Sequence, residues 1–454
     1  MISNSIIYNT IINKKIILIA LVISFFSLSI LPLTPLLSYD HHNSQRILQI
    51  IFLLVLSIGF TVNFYIQKNF KYLKQEELKV IPIFLLSGLA SSIFSEEIGF
   101  ALFYTFHISL LILAASFVRL LNTKKSTLFI IYALVIVHTT LTLVCLLNII
   151  FTVYEFKPLN PFMIYSGFLN IRFFNQVQVF IVPFLILLLK FKNIQRIIFV
   201  ILFLNLLLMF IGQARGALIS FLVFSSFALI LKSLLKKQIL AGLVCLLLSW
   251  IAFITLDSLN KSNLDVLRTS SSGRVDIWLT TLSDLTVKNI FIGNGPGIFE
   301  ISLDNATPLS HPHNSLIEIL NEWGGIALLC ILVAVFITFK QTIFHLKKHK
   351  KDIITESVFY SFTIGISYSL FSGVHVMPVS QTLLFIMWGL LIGRVNKNNQ
   401  NRIVINKWRK YLITTLFIIA WYFYLLKAIS IYNNINLDNG YNYGPRFWSV
   451  GQRF

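Results

Sequence analysis

Thirteen apolar runs, each long enough to cross a lipid bilayer, constrain the fold of this chain more than any other feature. Because lipid offers the backbone no hydrogen-bond partners, runs of this length predict membrane-spanning α-helices. Hydrophobic residues make up 56% of the sequence, more apolar surface than a soluble core could bury. We therefore predict an all-α polytopic membrane protein with about 12–13 transmembrane helices. The predicted spans lie near residues 16–37, 47–66, 80–94, 99–121, 127–151, 174–190, 195–212, 215–235, 238–256, 323–343, 354–372, 376–393 and 411–430.

One long polar interval interrupts the apolar pattern late in the chain. Apolar runs flank it on both sides, so it is expected to lie in water at one membrane face. The chain is then a single integral membrane domain in four parts. These are helices over residues 1–256, a large extracytoplasmic loop over 257–322, helices over 323–430 and an extracytoplasmic tail over 431–454. The tail is polar and rich in aromatic residues, which is typical of a segment resting on the membrane surface.

Positive charge sets the predicted orientation. A formal net charge of +20 would indicate nucleic acid as a partner for a soluble protein. Here Lys and Arg concentrate in short loops, as the positive-inside rule predicts, so no nucleic-acid partner is expected. With the N-terminus in the cytoplasm, 26 of the 37 Lys and Arg fall in cytoplasmic loops. The loop and tail would then face outward, into the periplasm if the cell is Gram-negative.

The cysteines argue against a metal site, and the positions of the acidic residues argue against an ion-coupled carrier. Cys145, Cys245 and Cys330 lie within apolar runs without metal-ligand spacing, so we interpret them as small core residues. All 17 Asp and Glu lie in loops or close to span ends. Carriers coupled to protons or sodium usually place ionisable groups near mid-membrane. This weakens the alternative of a polysaccharide or lipid transporter but leaves it open.

Three arginines lie on the predicted outer face, where the positive-inside rule disfavours cations. Arg215 stands between two spans joined by almost no loop, and Arg172 opens another span in a polar run that includes Gln178. Arg274 follows a Ser/Gly run and precedes a predicted amphipathic helix. Because arginine recognises phosphate bidentately, the three indicate an anionic ligand. Anchoring to lipid headgroups is the alternative for any one of them.

Two histidines close the polar interval in the stretch SHPHNSLIEILNEWGG. Histidine is the side chain best able to take a proton from a hydroxyl near neutral pH. Asn314 is a predicted cap for the helix that begins at Ser315, which would hold His313 at a helix N-terminus. His311 and His313 also resemble part of a metal site, but a third ligand is missing nearby, so we predict no metal. The glycines of GNGPG, residues 293–297, predict a tight turn rather than a nucleotide fingerprint.

These elements together resemble the O-antigen ligase superfamily. The resemblance rests on many spans, one late outer loop and an Arg-Gly pair, Arg215 and Gly216, opening a span. A GR-x-x-x-W element runs from Gly273 to Trp278, and His313 and Asn314 precede Gly324 with the spacing of an H-N-x9-G motif. The next small residue of that motif would fall at Leu328, where this chain departs from it. The resemblance covers roughly residues 160–395.

The resemblance implies an all-α, C-type glycosyltransferase that takes a glycan from undecaprenyl-pyrophosphate on the outer face. It implies no nucleotide sugar, cofactor or metal. We expect an inner-membrane O-antigen ligase with a lipid A–core sugar as acceptor; an O-antigen polymerase or a protein O-oligosaccharyltransferase would differ only in acceptor. In this scheme His313 is the general base and Arg215 and Arg274 neutralise the pyrophosphate, with inversion at the anomeric carbon. The expected substrate-binding residues are Arg172, Gln178, His311 and Asn314.

Overall fold

The computed structural model describes residues 2–31, 40–66, 70–73, 79–165, 167–262, 264, 273–302, 309–396, 400–403, 406–433 and 446–449. The helices are α1 (Ile2–Ile30), α2 (His41–Ile66), α3 (Val80–Ile93), α4 (Ile98–Val118), α5 (Lys124–Tyr154), α6 (Pro161–Ile164), α7 (Ile171–Leu188), α8 (Gln195–Ile211), α9 (Arg215–Ile230), α10 (Lys236–Asn260), α11 (Arg274–Ser283), α12 (Val287–Ile292), α13 (Ser315–Lys348), α14 (Ile353–Ser369), α15 (Pro378–Val395) and α16 (Lys407–Asn433). Two strands, β1 (Phe70–Leu73) and β2 (Gln400–Ile403), complete the described elements.

Every predicted span coincides with one of these helices, which confirms the all-α polytopic class. Among the described residues, eight helices are long and apolar enough to cross a membrane, and four shorter apolar helices accompany them. The predicted loop is only partly described: residues 263, 265–272 and 303–308 lie outside the described ranges. Its two helices, α11 and α12, are short, as expected for a segment that lies outside the apolar layer.

The centre of the bundle is α7. Its residues from Phe173 to Leu188 are all buried, as expected of a helix whose apolar residues surround its whole circumference. It packs against α14, α8 and α5. The Asn170 side chain caps its start by accepting the backbone N–H of Arg172 at 2.9 Å. The polar first turn of this central helix is therefore fixed at one end of the bundle.

Strands β1 and β2 form an antiparallel pair, with Phe70 opposite Ile403 and Leu73 opposite Gln400. They belong to two loops that the alternation of the predicted spans assigns to the same membrane face. Helix α13 is broken at Gly324, where φ is +80°. A Cβ at this position would lie 2.3 Å from the carbonyl oxygen of Phe291, so only glycine fits. The break separates the first turns of α13, which belong to the predicted loop, from the span that follows.

The predicted position of the tail on the membrane surface is wrong for residues 446–449. Arg446, Phe447 and Trp448 are at most 2% exposed and lie inside the bundle. The buried Arg46 of α2 donates its Nε–H to the carbonyl oxygen of Phe447 at 2.9 Å. Burial of aromatic surface and hydrogen bonding of the backbone both favour this inward position. Residues 434–445 and 450–454 of the tail lie outside the described ranges.

Candidate active site

The three arginines singled out in the sequence line one cavity. Arg172, Arg215 and Arg274 come from α7, α9 and α11, and the cavity that they share has a volume of about 460 Å³. This lies within the usual size of a small-molecule site, roughly 300–1,000 Å³. Asn175 and Tyr368 are also part of its wall. Segments far apart in the sequence thus bring three guanidinium groups to one place.

Each of these arginines lies in the first turn of its helix. Arg215 and Arg274 are the first residues of α9 and α11, and Arg172 is the second residue of α7. The N-terminal end of a helix dipole carries partial positive charge, so a cation there is destabilising by itself. An anion in the cavity would instead meet helix N-termini and guanidinium groups together. The arrangement fits an anionic ligand better than it serves the stability of the helices.

Left-handed backbone occurs just before two of these arginines and at the histidine. Gly273, next to Arg274, has φ +72°, and Gln213, two residues before Arg215, has φ +51°. His313 itself has φ +58°. Non-glycine residues in this region store strain, which often accompanies functional sites. The motif glycine at 273 therefore has a physical reason, because it turns the chain into α11 without that strain.

His313 lies beside the arginine cavity. Its Nε2 is 3.5 Å from the Nη1 of Arg172. Since a guanidinium can only donate, Nε2 is the acceptor and the imidazole is neutral. Burial, followed by the charges of Arg172 and Arg274, lowers the pKa of His313 to about 3.

Trp278 connects the GR-x-x-x-W element to the histidines. Its Nε1–H donates to the carbonyl oxygen of Pro312 at 2.8 Å. Pro312 stands between His311 and His313 in the chain. Helix α11 is amphipathic as predicted, with Ile277 buried. One short helix therefore presents Arg274 to the cavity and fixes the loop that carries His313.

The other predicted site residues lie around the cavity rather than in its wall. The His311 ring packs edge-on against His313, with centroids 4.1 Å apart. Burial, followed by the neighbouring His313, holds the pKa of His311 well below its usual range. The Asn314 Oδ1 accepts the backbone N–H groups of Leu316 and Ile317. Its side chain is thus engaged in the predicted cap of α13.

Gln178 lies one turn further along α7 than the cavity wall. It is fully buried, and its amide donates to the carbonyl oxygen of Asn205 at 2.6 Å. Asn205 in turn is hydrogen-bonded to His138. Gln178 is therefore part of a buried polar network between helices. The structure does not bring it to the arginines. Among the described residues, no group of three His, Cys, Asp or Glu side chains could hold a metal ion.

Asn175 is a wall residue that the sequence does not single out as a site. It is 1% exposed and lies one turn after Arg172 on α7. Neither its Oδ1 nor its Nδ2 has a hydrogen-bond partner among the residues that the structure describes. A buried amide left in this way costs about 1–3 kcal/mol for each unsatisfied group. The signal in the sequence is the run of amides at 175, 176 and 178, which alone does not tell which one faces the cavity.

A buried ion-pair cluster lies behind the histidine loop. Arg446, from the tail, pairs with both Glu318 and Glu322 in the first turns of α13. It also donates from Nη1 to the carbonyl oxygen of Ser310, at 2.6 Å, just before His311. His375 Nε2 lies 3.3 Å from Glu318. This cluster holds the histidine loop and α13 together, and nothing in the local sequence around residue 446 indicates it.

The glycine-rich turn is tied to the same cluster. Glu322 accepts the backbone N–H groups of Gly297 and Phe299, at 2.9 and 3.0 Å. The predicted tight turn is confirmed, since Gly293, Gly295 and Gly297 all have positive φ. The Gly297 amide faces a carboxylate of the protein, which rules it out as a phosphate-binding group.

Fold and cavity define a multi-pass membrane protein with a site lined by arginines at one end of the bundle. Residues 197–332 match a family model described as O-antigen ligase. The match includes Arg215, Arg274 and His313, and it confirms the resemblance to the O-antigen ligase superfamily. The family indicates a glycosyltransferase-like enzyme of the O-antigen ligase or polymerase type, acting on lipid-linked glycan donors and acceptors. A comparison with curated proteins gave no match.

Proposed function

We propose that this chain is an O-antigen ligase, which transfers a glycan from undecaprenyl-pyrophosphate to a sugar of the lipid A–core. The observation that carries this proposal is the meeting of Arg172, Arg215 and Arg274 around one cavity, with His313 beside them. Three guanidinium groups match a pyrophosphate in charge, and each can bind phosphate oxygens bidentately. The neutral imidazole of His313, beside the cavity, is a base that could accept the proton of the attacking hydroxyl.

In the proposed reaction, an acceptor hydroxyl attacks the anomeric carbon as the bond from that carbon to the pyrophosphate oxygen breaks. His313 Nε2 takes the hydroxyl proton. Undecaprenyl-pyrophosphate leaves, and the arginines stabilise the negative charge that develops on it. Attack from the side opposite the leaving group inverts the anomeric configuration. The step is a direct displacement in which each bond is accounted for, and it calls for no metal or other cofactor.

Donor binding would also prepare the base. Arg172 lies 3.5 Å from the nitrogen that must accept the proton. A bound pyrophosphate would attract Arg172 and compensate its charge, together with that of Arg274. Both changes raise the basicity of His313, because these two charges help to lower its pKa. The histidine would thus be a stronger base when the donor is present.

Asn175 would supply hydrogen bonds to the donor. Asn175 lines the cavity, and its amide, which has both a donor and an acceptor group, has no hydrogen-bond partner among the described residues. A sugar hydroxyl or a phosphate oxygen of the donor would satisfy it. This role places Asn175 beside Arg172 as a substrate-binding residue.

Analysis of a deletion strain tests which acceptor is used. Its lipopolysaccharide and glycoproteins are separated by electrophoresis. Loss of the whole polysaccharide ladder, with lipid-linked glycan accumulating on the outer face, is expected of a ligase. A band with a single repeat unit would indicate a polymerase instead, and loss of protein glycosylation would indicate a protein O-oligosaccharyltransferase. If the chain were a transporter, its deletion would leave the finished glycan on the inner face of the membrane.

The proposed orientation places the arginine cavity in the periplasm and the inner membrane around the bundle. Thiol labelling tests it directly, since Cys145, Cys245 and Cys330 are buried and can be replaced. In that background, a Lys288→Cys variant should react with an impermeant reagent in intact spheroplasts. A Lys350→Cys variant, at the other end of the bundle, should react only after lysis. The reverse pattern would place the cavity in the cytoplasm.

A further inference from the structure

A second cavity, of about 930 Å³, lies at the end of the bundle opposite the histidine loop. It is lined by the start of α5, by the turn between α13 and α14, and by the end of α15. The part of α13 after Gly324 runs from one end to the other and has a length of roughly 36 Å at 1.5 Å per residue. That length exceeds a hydrocarbon layer of about 30 Å, so the two cavities lie at opposite membrane faces.

The wall of this cavity is strongly basic. Among the described residues that line it, one is a carboxylate, Asp352, and the lysines, histidines and arginine are Lys124, His345, Lys348, His349, Lys350, Lys351 and Arg394. Asp352 is already engaged, since Arg394 Nη2 and Thr355 Oγ1 both donate to it at 2.7 Å. Among the described residues, no ion pair joins the four lysines to a carboxylate. The cavity therefore has an uncompensated positive charge.

Hydrogen bonds hold the side chains on the inner side of this cavity in place. Arg394 is 6% exposed, and its Nε–H donates to Thr355 Oγ1 at 2.6 Å. Burial alone would raise the pKa of Asp352, but hydrogen bonding from His345 and the charge of Arg394 hold it below its usual range. The Asn396 amide donates to Gln341 at 3.0 Å and connects α15 to α13. These bonds fix the relative positions of three helices around the lysines.

The rim of the cavity is apolar on the side that faces lipid. Phe344, on α13, lines the cavity and is 70% exposed. An amphipathic ligand would place an anionic group against the lysines and hydrocarbon along Phe344. Basic pockets between transmembrane helices, at the face with excess Lys and Arg, are suited to anionic phospholipid headgroups.

We propose that this cavity binds the headgroup of an anionic phospholipid from the adjacent leaflet, with acyl chains packed along Phe344. The positive-inside rule accounts for lysines in a loop, but not for a cavity with a buried arginine at its base. The loop with Lys232, Lys236 and Lys237 carries comparable exposed charge and does not line this cavity. It provides the matched control.

The test measures binding of tetraoleoyl cardiolipin to the purified full chain in phosphatidylcholine nanodiscs, by native mass spectrometry. The triple variant Lys348→Gln, Lys350→Gln, Lys351→Gln should bind it on the order of 10²-fold more weakly, since each lysine near an anionic surface contributes about 1 kcal/mol. The variant Lys232→Gln, Lys236→Gln, Lys237→Gln should bind it as the unaltered chain does. Equal binding by both variants would overturn the proposal.

Inorganic phosphate and pyrophosphate distinguish a lipid from a soluble anion. If the ligand is a phospholipid, neither anion should displace cardiolipin at millimolar concentration. Displacement by either soluble anion would show a free-phosphate site and contradict the proposed occupant. A Phe344→Ser variant adds a further test, because it should weaken cardiolipin without altering any charge.

Discussion

The Nη1 of Arg172 lies 3.5 Å from the Nε2 of His313, a residue 141 positions later in the chain. The guanidinium is therefore directed at the nitrogen that would accept a proton in the proposed transfer. This contact and the burial of His313 lower its pKa, so the imidazole is neutral but weakly basic. Binding of an anion is the event that would release it, so substrate binding and base activation are coupled at one contact.

Substitution of His313 by alanine should abolish transfer, because a positioned base contributes about 10²–10⁴-fold to such reactions. Binding of the carrier-linked donor should remain, since the arginines are unaltered. A His311→Ala variant should lose less activity, because the contact with Arg172 of the cavity wall is made by His313. Transfer and donor binding are measured on purified protein, and the activity should survive a chelator. Full activity in the His313 variant would remove this residue from the mechanism.

Replacement of Arg215 or Arg274 by lysine should be poorly tolerated, because lysine keeps the charge but loses the bidentate geometry. Alanine at either position should cost on the order of 10²-fold in kcat/KM, as for other lost electrostatic stabilisers. Lys288→Ala is a control, since this exposed lysine lies on α12, outside the cavity. Near-normal activity of an alanine variant at equal expression would indicate that its arginine only anchors the protein to lipid.

The pH dependence of kcat should differ from that of kcat/KM. In the free enzyme His313 has a pKa of about 3, so it stays neutral and kcat/KM should not fall on its account above pH ~5. Once the donor compensates the arginines, the pKa rises, although burial still holds it below the ordinary value of about 6.5. The acid limb of kcat should therefore lie at higher pH. Coincident limbs in profiles from pH 4.5 to 8 would contradict the coupling.

An Asn175→Leu variant should be more stable and less active. Leucine has a similar size and removes two buried, unsatisfied polar groups, which should raise the free energy of unfolding by about 1–3 kcal/mol for each group. The donor would lose its hydrogen bonds to the amide, so KM for the donor should rise. Thermal unfolding and steady-state kinetics are measured on the same preparation. A destabilised variant with unchanged KM would show that the amide serves the fold.

Removal of the Arg446 side chain should destabilise the protein strongly. In an Arg446→Ala variant, Glu318 and Glu322 lose their cationic partner in a buried site, which typically costs about 3–5 kcal/mol. Adding Glu322→Gln should recover part of that loss, because it removes one of the uncompensated charges. The midpoint of thermal unfolding checks both variants. An unchanged midpoint for Arg446→Ala would show that the ion pairs do not hold the loop.

Long apolar runs made the helices predictable, because in lipid a run of that length has few alternatives to a helix. The arginines and His313 were also predictable, since a cation or a histidine at the end of a span is conspicuous against an apolar background. Their shared cavity was not predictable. The meeting of Arg172, Arg215 and Arg274 depends on how α7, α9 and α11 pack. Periodicity places a residue on a helix, but it does not say which neighbour that helix meets.

Gln178 and Arg446 illustrate this limit. Gln178 is a predicted site residue that lies away from the cavity, and Arg446 is a supporting residue that was not predicted. Gln178 shares a polar run with Arg172, yet the turn of α7 directs it to Asn205 instead of the cavity. Arg446 lies in a polar tail without any motif, yet it pairs with two glutamates more than a hundred residues earlier. Contacts of this kind are fixed by tertiary packing, so a single sequence carries no local signal for them.

The position of Arg446 also orders the events of biosynthesis. Glu318 and Glu322 enter the membrane region with α13, but the cation that neutralises them is made only after α14, α15 and α16. Until Arg446 has been synthesised and has reached their side of the bundle, the histidine loop lacks its support at Ser310. A partly inserted chain would thus have the arginine cavity, but His313 would not be held in position as the general base. The enzyme would acquire activity late, after its last helix is in place, and would not act on donor lipids while still being assembled.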